Sequence, residues 1–340
     1  MKIFFALLFF MLLILPFELQ AQLIESDTFQ DPNKKMVSVP VTVSDREGRY
    51  ISGLKKEDFS VYQDGVKQKI TFFDAYEEPV NIALLIDTSG STRDVIKNIK
   101  GAAKDFIELL NRKDQCLLAT FDSEVKILSP FTSNHQVLKL SVNKIKAPER
   151  GATFMYSAVN QIARKSFANV KGRKVIILLS DGKDFGGSVT KDELLNLLEE
   201  SDVLIYTIFY KTDPTQNLAQ QIKKYRKKKK ESPAAIPAQV VYVPSAQEVE
   251  LLEKNVEVEA IESLKKMSDT TAGRFYAGDL PDLKKIFRRI TGELTQQYRL
   301  GYRLKDAATT NGAAAHDINV KVERPDVVVR TRGKIRTKQS

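Results

Sequence analysis

Two unbroken apolar runs, Ile82-Ala83-Leu84-Leu85-Ile86 and Val175-Ile176-Ile177-Leu178-Leu179, constrain the fold of this chain more than any other feature. A strand with one wet face alternates apolar and polar residues; a run without alternation is covered on both faces. Strands of that kind belong in a mostly parallel sheet with helices packed on either side. The rest of the middle of the chain agrees. Strand patterns at 81–86, 115–121, 125–128, 174–179, 203–209 and 274–276 alternate with amphipathic helix patterns at 92–110, 135–143, 153–165, 191–201, 249–268 and 281–295. The expected fold class is α/β, with a doubly wound, mostly parallel sheet.

Both apolar runs lead into oxygen-bearing side chains. Asp87-Thr88-Ser89-Gly90-Ser91 ends the first and opens a helix-like stretch, Asp181-Gly182 closely follows the second, and Thr153 begins a helix between them. In an open α/β sheet the carboxyl ends of the strands form the ligand crevice. Asp87, Ser89 and Ser91 are spaced two apart, which in extended backbone points side chains the same way, so all three can reach one cation. Mg²⁺ takes six oxygens in octahedral array and keeps several waters. The hydroxyls of Ser89, Ser91 and Thr153, with Asp87 and Asp181 acting partly through water, meet that demand. A cation so held stays electron-poor, and its open position favours a carboxylate arriving from a partner. Taken singly, each segment has a plainer reading as a helix N-cap or an Asp-Gly turn; their shared context and order lift the combination.

The flanks read as strands of period two. Before the α/β region these lie at 37–44, 59–62 and 69–73, with Asp64-Gly65 as a hairpin signal and Pro40 as the mark of a sheet edge. After it they lie at 298–304, 316–322 and 327–331. Three strands alone leave one face bare, so the two sets are expected to pack together as a small β-sandwich into which the α/β domain is inserted. The expected divisions are N-terminal strands at 36–76, the α/β domain at 79–297 and C-terminal strands at 298–336. Residues 211–246, with Pro233, Pro237 and Pro244, interrupt the α/β rhythm as an inserted excursion.

Residues 1–21 read as a secretory signal rather than fold. Met1-Lys2 supply the positive start, residues 3–15 form an apolar stretch of 13 residues, and Leu19-Gln20-Ala21 offers a cleavage site. That stretch is short of the roughly 20 residues needed to span a bilayer, and no cysteine follows it, which excludes a lipoprotein anchor. The expectation is a secreted or periplasmic protein with no transmembrane segment after cleavage. The one cysteine, Cys116, reads as a buried, inert strand thiol. Of the net charge of +10, seven positive residues fall in Lys223-Lys224-Tyr225-Arg226-Lys227-Lys228-Lys229-Lys230. The rest of the chain is thus close to neutral, and the basicity is local. The run reads as a solvated, flexible charged loop or, alternatively, as a contact for an anionic surface polymer; with one aromatic residue it gives no basis for specific nucleic-acid binding.

The segments Leu85-Ile86-Asp87-Thr88-Ser89-Gly90-Ser91, Gly151-Ala152-Thr153-Phe154-Met155-Tyr156 and Leu178-Leu179-Ser180-Asp181-Gly182 resemble the von Willebrand factor type A domain and its metal-ion-dependent adhesion site. Gly53-Leu54-Lys55-Lys56-Glu57-Asp58-Phe59, Asp64-Gly65 and Gln297-Tyr298-Arg299-Leu300-Gly301-Tyr302 further resemble the bacterial VWFA-related subgroup of exported proteins. The likeness runs over about 37–336. It implies a Rossmann-like fold, with Ser89, Ser91 and Thr153 as hydroxyl ligands and Asp87 and Asp181 as acidic ligands of Mg²⁺, or of Mn²⁺ or Ca²⁺. Gly-Ala-Thr replaces the commoner Gly-Gly-Thr. Ser157 stands where relatives often carry Asp, which bears on support around the metal or on affinity.

Catalysis finds little footing. The two histidines, His135 and His316, lie outside the metal segments, and no G-x-S-x-G elbow, histidine pair or phosphate-cradling glycine loop occurs. The expected function is adhesion or assembly, the site capturing an Asp or Glu of a protein partner and no enzymatic role. The alternatives are a scaffold whose metal stabilises the fold and, more distantly, a hydrolase.

Overall fold

A computed structural model describes residues 36–75, 79–93, 95–147, 152–212, 246–303 and 315–336. The signal at 1–21, the basic run and nearly all of the 211–246 excursion lie outside the described residues.

The apolar runs form the two central strands of a six-stranded sheet. In chain order its elements are β5 (Val80–Asp87), α1 (Ile96–Leu109), β6 (Gln115–Phe121), β7 (Val125–Thr132), α2 (His135–Asn143), α3 (Met155–Gln161), β8 (Arg173–Ser180), α4 (Lys191–Glu200), β9 (Val203–Phe209), α5 (Ala246–Thr271), β10 (Phe275–Ala277) and α6 (Leu283–Leu294). The strand order is β10-β9-β8-β5-β6-β7, parallel except for β7. Alternate residues of the runs serve opposite faces. Ile82, Leu84, Ile86, Val175 and Ile177 pack with Phe106, Leu138 and Phe287 from α1, α2 and α6. Ala83, Leu85, Ile176 and Leu178 pack with Val159, Leu198 and Leu264 from α3, α4 and α5. Both faces are therefore dry, as runs without alternation require. On α6 the buried residues Leu283, Ile286, Phe287, Ile290 and Leu294 recur at helical spacing, each contributing about 2 kcal/mol of burial before ordering entropy is charged against it.

The terminal strands form two antiparallel sheets. They are β1 (Met36–Asp45), β2 (Phe59–Gln63), β3 (Val66–Gln68) and β4 (Ile70–Ala75) from one end, and β11 (Gln297–Arg303), β12 (Ala315–Val322), β13 (Val327–Thr331) and β14 (Lys334–Arg336) from the other. Their orders are β13-β1-β11-β4 and β14-β12-β2-β3, so each sheet mixes strands from both ends of the chain. Val39, Val41, Phe59, Val61, Tyr298, Leu300 and Val320 share one core between them, with the rings of Phe59 and Tyr298 5.0 Å apart. This is the expected flanking sandwich.

Three local readings need correction. Helix α1 begins at Ile96 rather than residue 92, because Thr92 bonds back to the Ser89 carbonyl through its N–H (3.0 Å) and its hydroxyl (2.8 Å), closing a separate turn. The helix from Thr153 is α-helical only from Met155 and widens to a π turn at Ile162–Ser166. Pro40 lies in an interior strand, although β13 joins only from Val41 onward, so the half of β1 that carries Pro40 is a local edge. The hairpin signal holds: Asp64 and Gly65 both have positive φ, 49° and 78°. Its return strand is the short β3; β4 crosses to the other sheet.

A buried carboxylate joins the sandwich to the α/β body. Glu293 on α6 accepts from Tyr206 of β9 (3.1 Å) and from Tyr50 of the β1–β2 connection (2.9 Å), and pairs with Arg274 at 3.1 Å. Burial, and then the negative charge of Glu293, push both tyrosine hydroxyls well above their usual range.

Candidate metal centre

The chain leaves β5 toward β6 on one side and later returns to β8 on the other, so the crevice between the carboxyl ends of β5 and β8 is a topological switch point. Asp87 is the last residue of β5, and Asp181 follows the last residue of β8. The loop after Asp87 is pinned sideways: both the N–H and the hydroxyl of Thr88 donate to the Phe121 carbonyl at the end of β6, at 2.8 and 3.1 Å.

Asp87 is fully buried. One carboxylate oxygen accepts the Ser89 N–H (2.8 Å), the other the Ser180 hydroxyl (2.8 Å), and Ser180 accepts the Gly182 N–H (2.9 Å). The Ser89 and Ser91 hydroxyls lie 2.9 Å apart, and Ser91 donates to Asp181 Oδ2 at 2.9 Å. That same oxygen receives the Thr212 hydroxyl (2.8 Å) and Lys183 Nζ (3.1 Å). Asp87, Ser89, Ser91 and Asp181 thus belong to one hydrogen-bonded cluster, closed through Ser180.

Thr153 is also buried, just ahead of α3. Its carbonyl accepts the N–H of Phe185, four residues past Asp181, at 2.8 Å, and the next N–H, from Phe154, donates to the Asp122 carbonyl at 2.9 Å. Its backbone is therefore tied to the loop after Asp181 and to the loop after β6. Among the described residues its hydroxyl makes no hydrogen bond to the other four. Ser157 accepts the Ser188 N–H at 3.1 Å and so supports that same loop.

Burial, and then the charge of Asp181, push the Asp87 carboxyl up to about 7. Tyr210, at the end of β9, points a buried hydroxyl with no partner among the described residues; burial, and then Asp87 and Asp181, raise it far above its usual range. The two buried carboxylates and the Ser89 and Ser91 hydroxyls are oxygen donors of the kind a small hard divalent cation takes, and a cation would relieve the repulsion that adds to burial in raising Asp87. Among the described residues no group of three or more His, Cys, Asp or Glu side chains comes together. His135 lies near Glu108 and His316 pairs with Asp64, both away from this cluster. Cys116 is buried and its thiol pushed up to about 12 by that burial, as an inert strand cysteine should be.

Sequence reasoning missed Ser180, Lys183, Tyr210 and Thr212. Ser180 and Lys183 flank Asp181 and were within reach. Tyr210 and Thr212 follow β9, and only the adjacency of β9 to β8 brings them to the cluster.

Residues 81–255 match the family model of the von Willebrand factor type A domain. No curated protein sequence matches the chain. Among solved structures, proximal thread matrix protein 1 of the mussel byssus is 15% identical with a TM-score of 0.48, the match covering 69% of this chain and 51% of that one. The chain thus spans about half the length of the mussel protein. A von Willebrand factor type A protein from Catenulispora acidiphila is 14% identical, with a TM-score of 0.46 and coverage of 82% and 73%. The vWF domain of the type V pili tip protein Mfa5 from Porphyromonas gingivalis is 15% identical, with a TM-score of 0.38 and coverage of 63% and 94%.

Proposed function

Because this chain belongs to the von Willebrand factor type A domain family, whose domains mediate protein–protein interactions, we propose that it is an exported binding module that captures an acidic side chain of a protein partner through a divalent cation. The ligands in this reading are Asp87, Ser89, Ser91, Thr153 and Asp181. The observation that carries it is the hydrogen-bonded chain Ser89–Ser91–Asp181 beside a buried Asp87 at the switch point. When bound, Mg²⁺, or Mn²⁺ or Ca²⁺ in its place, supplies an electron-poor centre to which a carboxylate coordinates.

The protein's own groups set that centre up. The Ser89 N–H and the Ser180 hydroxyl fix the Asp87 carboxylate, while Thr212 orients Asp181. Thr88, anchored to Phe121, holds the loop that carries both serines. Such outer contacts position ligands before the ion arrives. With both histidines elsewhere, no imidazole base stands ready to activate a nucleophile, which favours capture over catalysis. Export rests on the leader sequence; no helix among the described residues is long and apolar enough to cross a membrane.

The repulsion between Asp87 and Asp181 favours a second reading, in which the cation chiefly stabilises the fold. A pull-down of the intact protein with Mg²⁺ and with chelator separates the two. Partner retention that needs Mg²⁺ and is lost in Ser91→Ala, while the chelated protein stays folded, supports capture. Retention in chelator, together with a lowered melting temperature, supports the stabilising role instead.

A further inference from the structure

We infer that a cleft beside the metal centre receives a cationic side chain, Lys or Arg, from the same partner segment that offers the acid; this rests on the metal-dependent reading above. The cleft measures about 500 Å³ and is lined by Asp122, Glu124, Phe154, Ser157, Gln161 and Ser188, among others. That volume lies within the range of sites that bury small ligands.

It opens on the same edge of the sheet as the metal centre. Asp122 directly follows Phe121, which stands opposite Asp87 in the β5–β6 register. The Asp122 carbonyl accepts the Phe154 N–H, and Phe154 is the next residue after Thr153. One Cα step, roughly 3.8 Å, therefore separates a metal-site residue from the cleft wall. The loop between them carries Phe185, which is 67% exposed although its N–H is tied to Thr153. An exposed ring beside a binding site is a natural contact for a partner.

The lining selects for positive charge. Asp122 is buried, its carboxylate held by the Glu124 N–H (3.0 Å) and by Lys126 Nζ (3.2 Å). Glu124 is exposed, and no described residue forms an ion pair with it. Two carboxylates against one ammonium leave the lining net negative, and the hydroxyls of Ser157 and Ser188 and the Gln161 amide oxygen add acceptors. A guanidinium or ammonium finds both charge and hydrogen-bond partners there, while Phe154 covers its apolar stem. A second acid would be repelled. Since the two chemistries adjoin, the acid and the base lie within a few residues of each other in the partner.

Random peptides displayed on phage, selected on the immobilised full-length chain in Mg²⁺ and eluted with chelator, test this. The expected pool is enriched in Asp or Glu with Lys or Arg at a fixed offset of up to about four residues. Selection on Glu124→Lys, an exposed and structurally mild change, should keep the acid and lose the base. A synthetic peptide from the first pool should bind that variant roughly fivefold more weakly. Mg²⁺ uptake by calorimetry checks that the variant is folded. An acid with no basic companion, or with an apolar residue at that offset, overturns the cleft assignment and leaves the metal reading standing. So does a basic companion that survives Glu124→Lys. A pool with no acid, not eluted by chelator, sinks the metal reading and this inference with it.

Discussion

Asp87 is the residue on which the site turns. A buried carboxyl whose folded-state value is raised favours the protonated form, so the stability it allows is present below the ordinary carboxylate range and is lost as pH rises through about 7. The chelated protein should therefore lose stability, on the order of a few kcal/mol, between about pH 4 and pH 7. Saturating Mg²⁺ should offset the loss by binding the folded state. In Asp87→Asn, melted in chelator across the same range, that component should vanish; an unchanged slope would count against the assignment. Tyr210→Phe should be neutral or stabilising by up to about 1 kcal/mol, since it removes a buried hydroxyl without a partner; urea unfolding measures it. At this scale Asp87, Ser89, Ser91 and Asp181, which gather in one hydrogen-bonded cluster, could be picked out because oxygen side chains after buried strands have few structural uses. Thr212 and Tyr210 were not, because nothing local marks the end of β9 as lying beside Asp181.

At the scale of elements, the β8–α5 contact positions the site. Gly182 has φ +73°, and a Cβ there would lie 2.9 Å from both the Cβ and the carbonyl oxygen of Ala260 on α5. Gly182→Ala should cost about 2–3 kcal/mol by chemical denaturation, through backbone strain and overpacking together. It should also weaken metal uptake, because the shifted loop carries Asp181. Full metal affinity in this variant would mean that the loop tolerates displacement. The strands and most helices could be read from periodicity because burial imposes it: β6, α2 and β9 match their expected bounds. The start of α1 could not, since Thr92 spends its hydrogen bonds on Ser89 rather than on a helix. The short β3 and β14 carry too few residues to show alternation.

For the whole molecule, Glu293 joins the last helix, the sheet and the sandwich in one buried network. Glu293→Leu leaves two tyrosine hydroxyls without their acceptor and the Arg274 guanidinium without its counter-charge, and should destabilise by roughly 3 kcal/mol. A single cooperative unfolding transition, shifted intact, is expected, because the described residues between 36 and 336 form one compact unit. Separate transitions for sandwich and α/β body would show that the network does not couple them. The sandwich could be anticipated because three strands on either side of the α/β region could not cover themselves. Its mixing of strands from both ends, and Glu293 at the seam, are products of tertiary packing that no local pattern announces.

The most direct measurement is isothermal titration of Mg²⁺ into the chelated intact protein, in parallel with Ser91→Ala. Uptake of a single ion by the native chain, strongly weakened in the variant while both remain folded, is the predicted result. No heat of binding at millimolar Mg²⁺, Mn²⁺ or Ca²⁺, or equal uptake by both proteins, would contradict a shared cation at Asp87, Ser89, Ser91, Thr153 and Asp181.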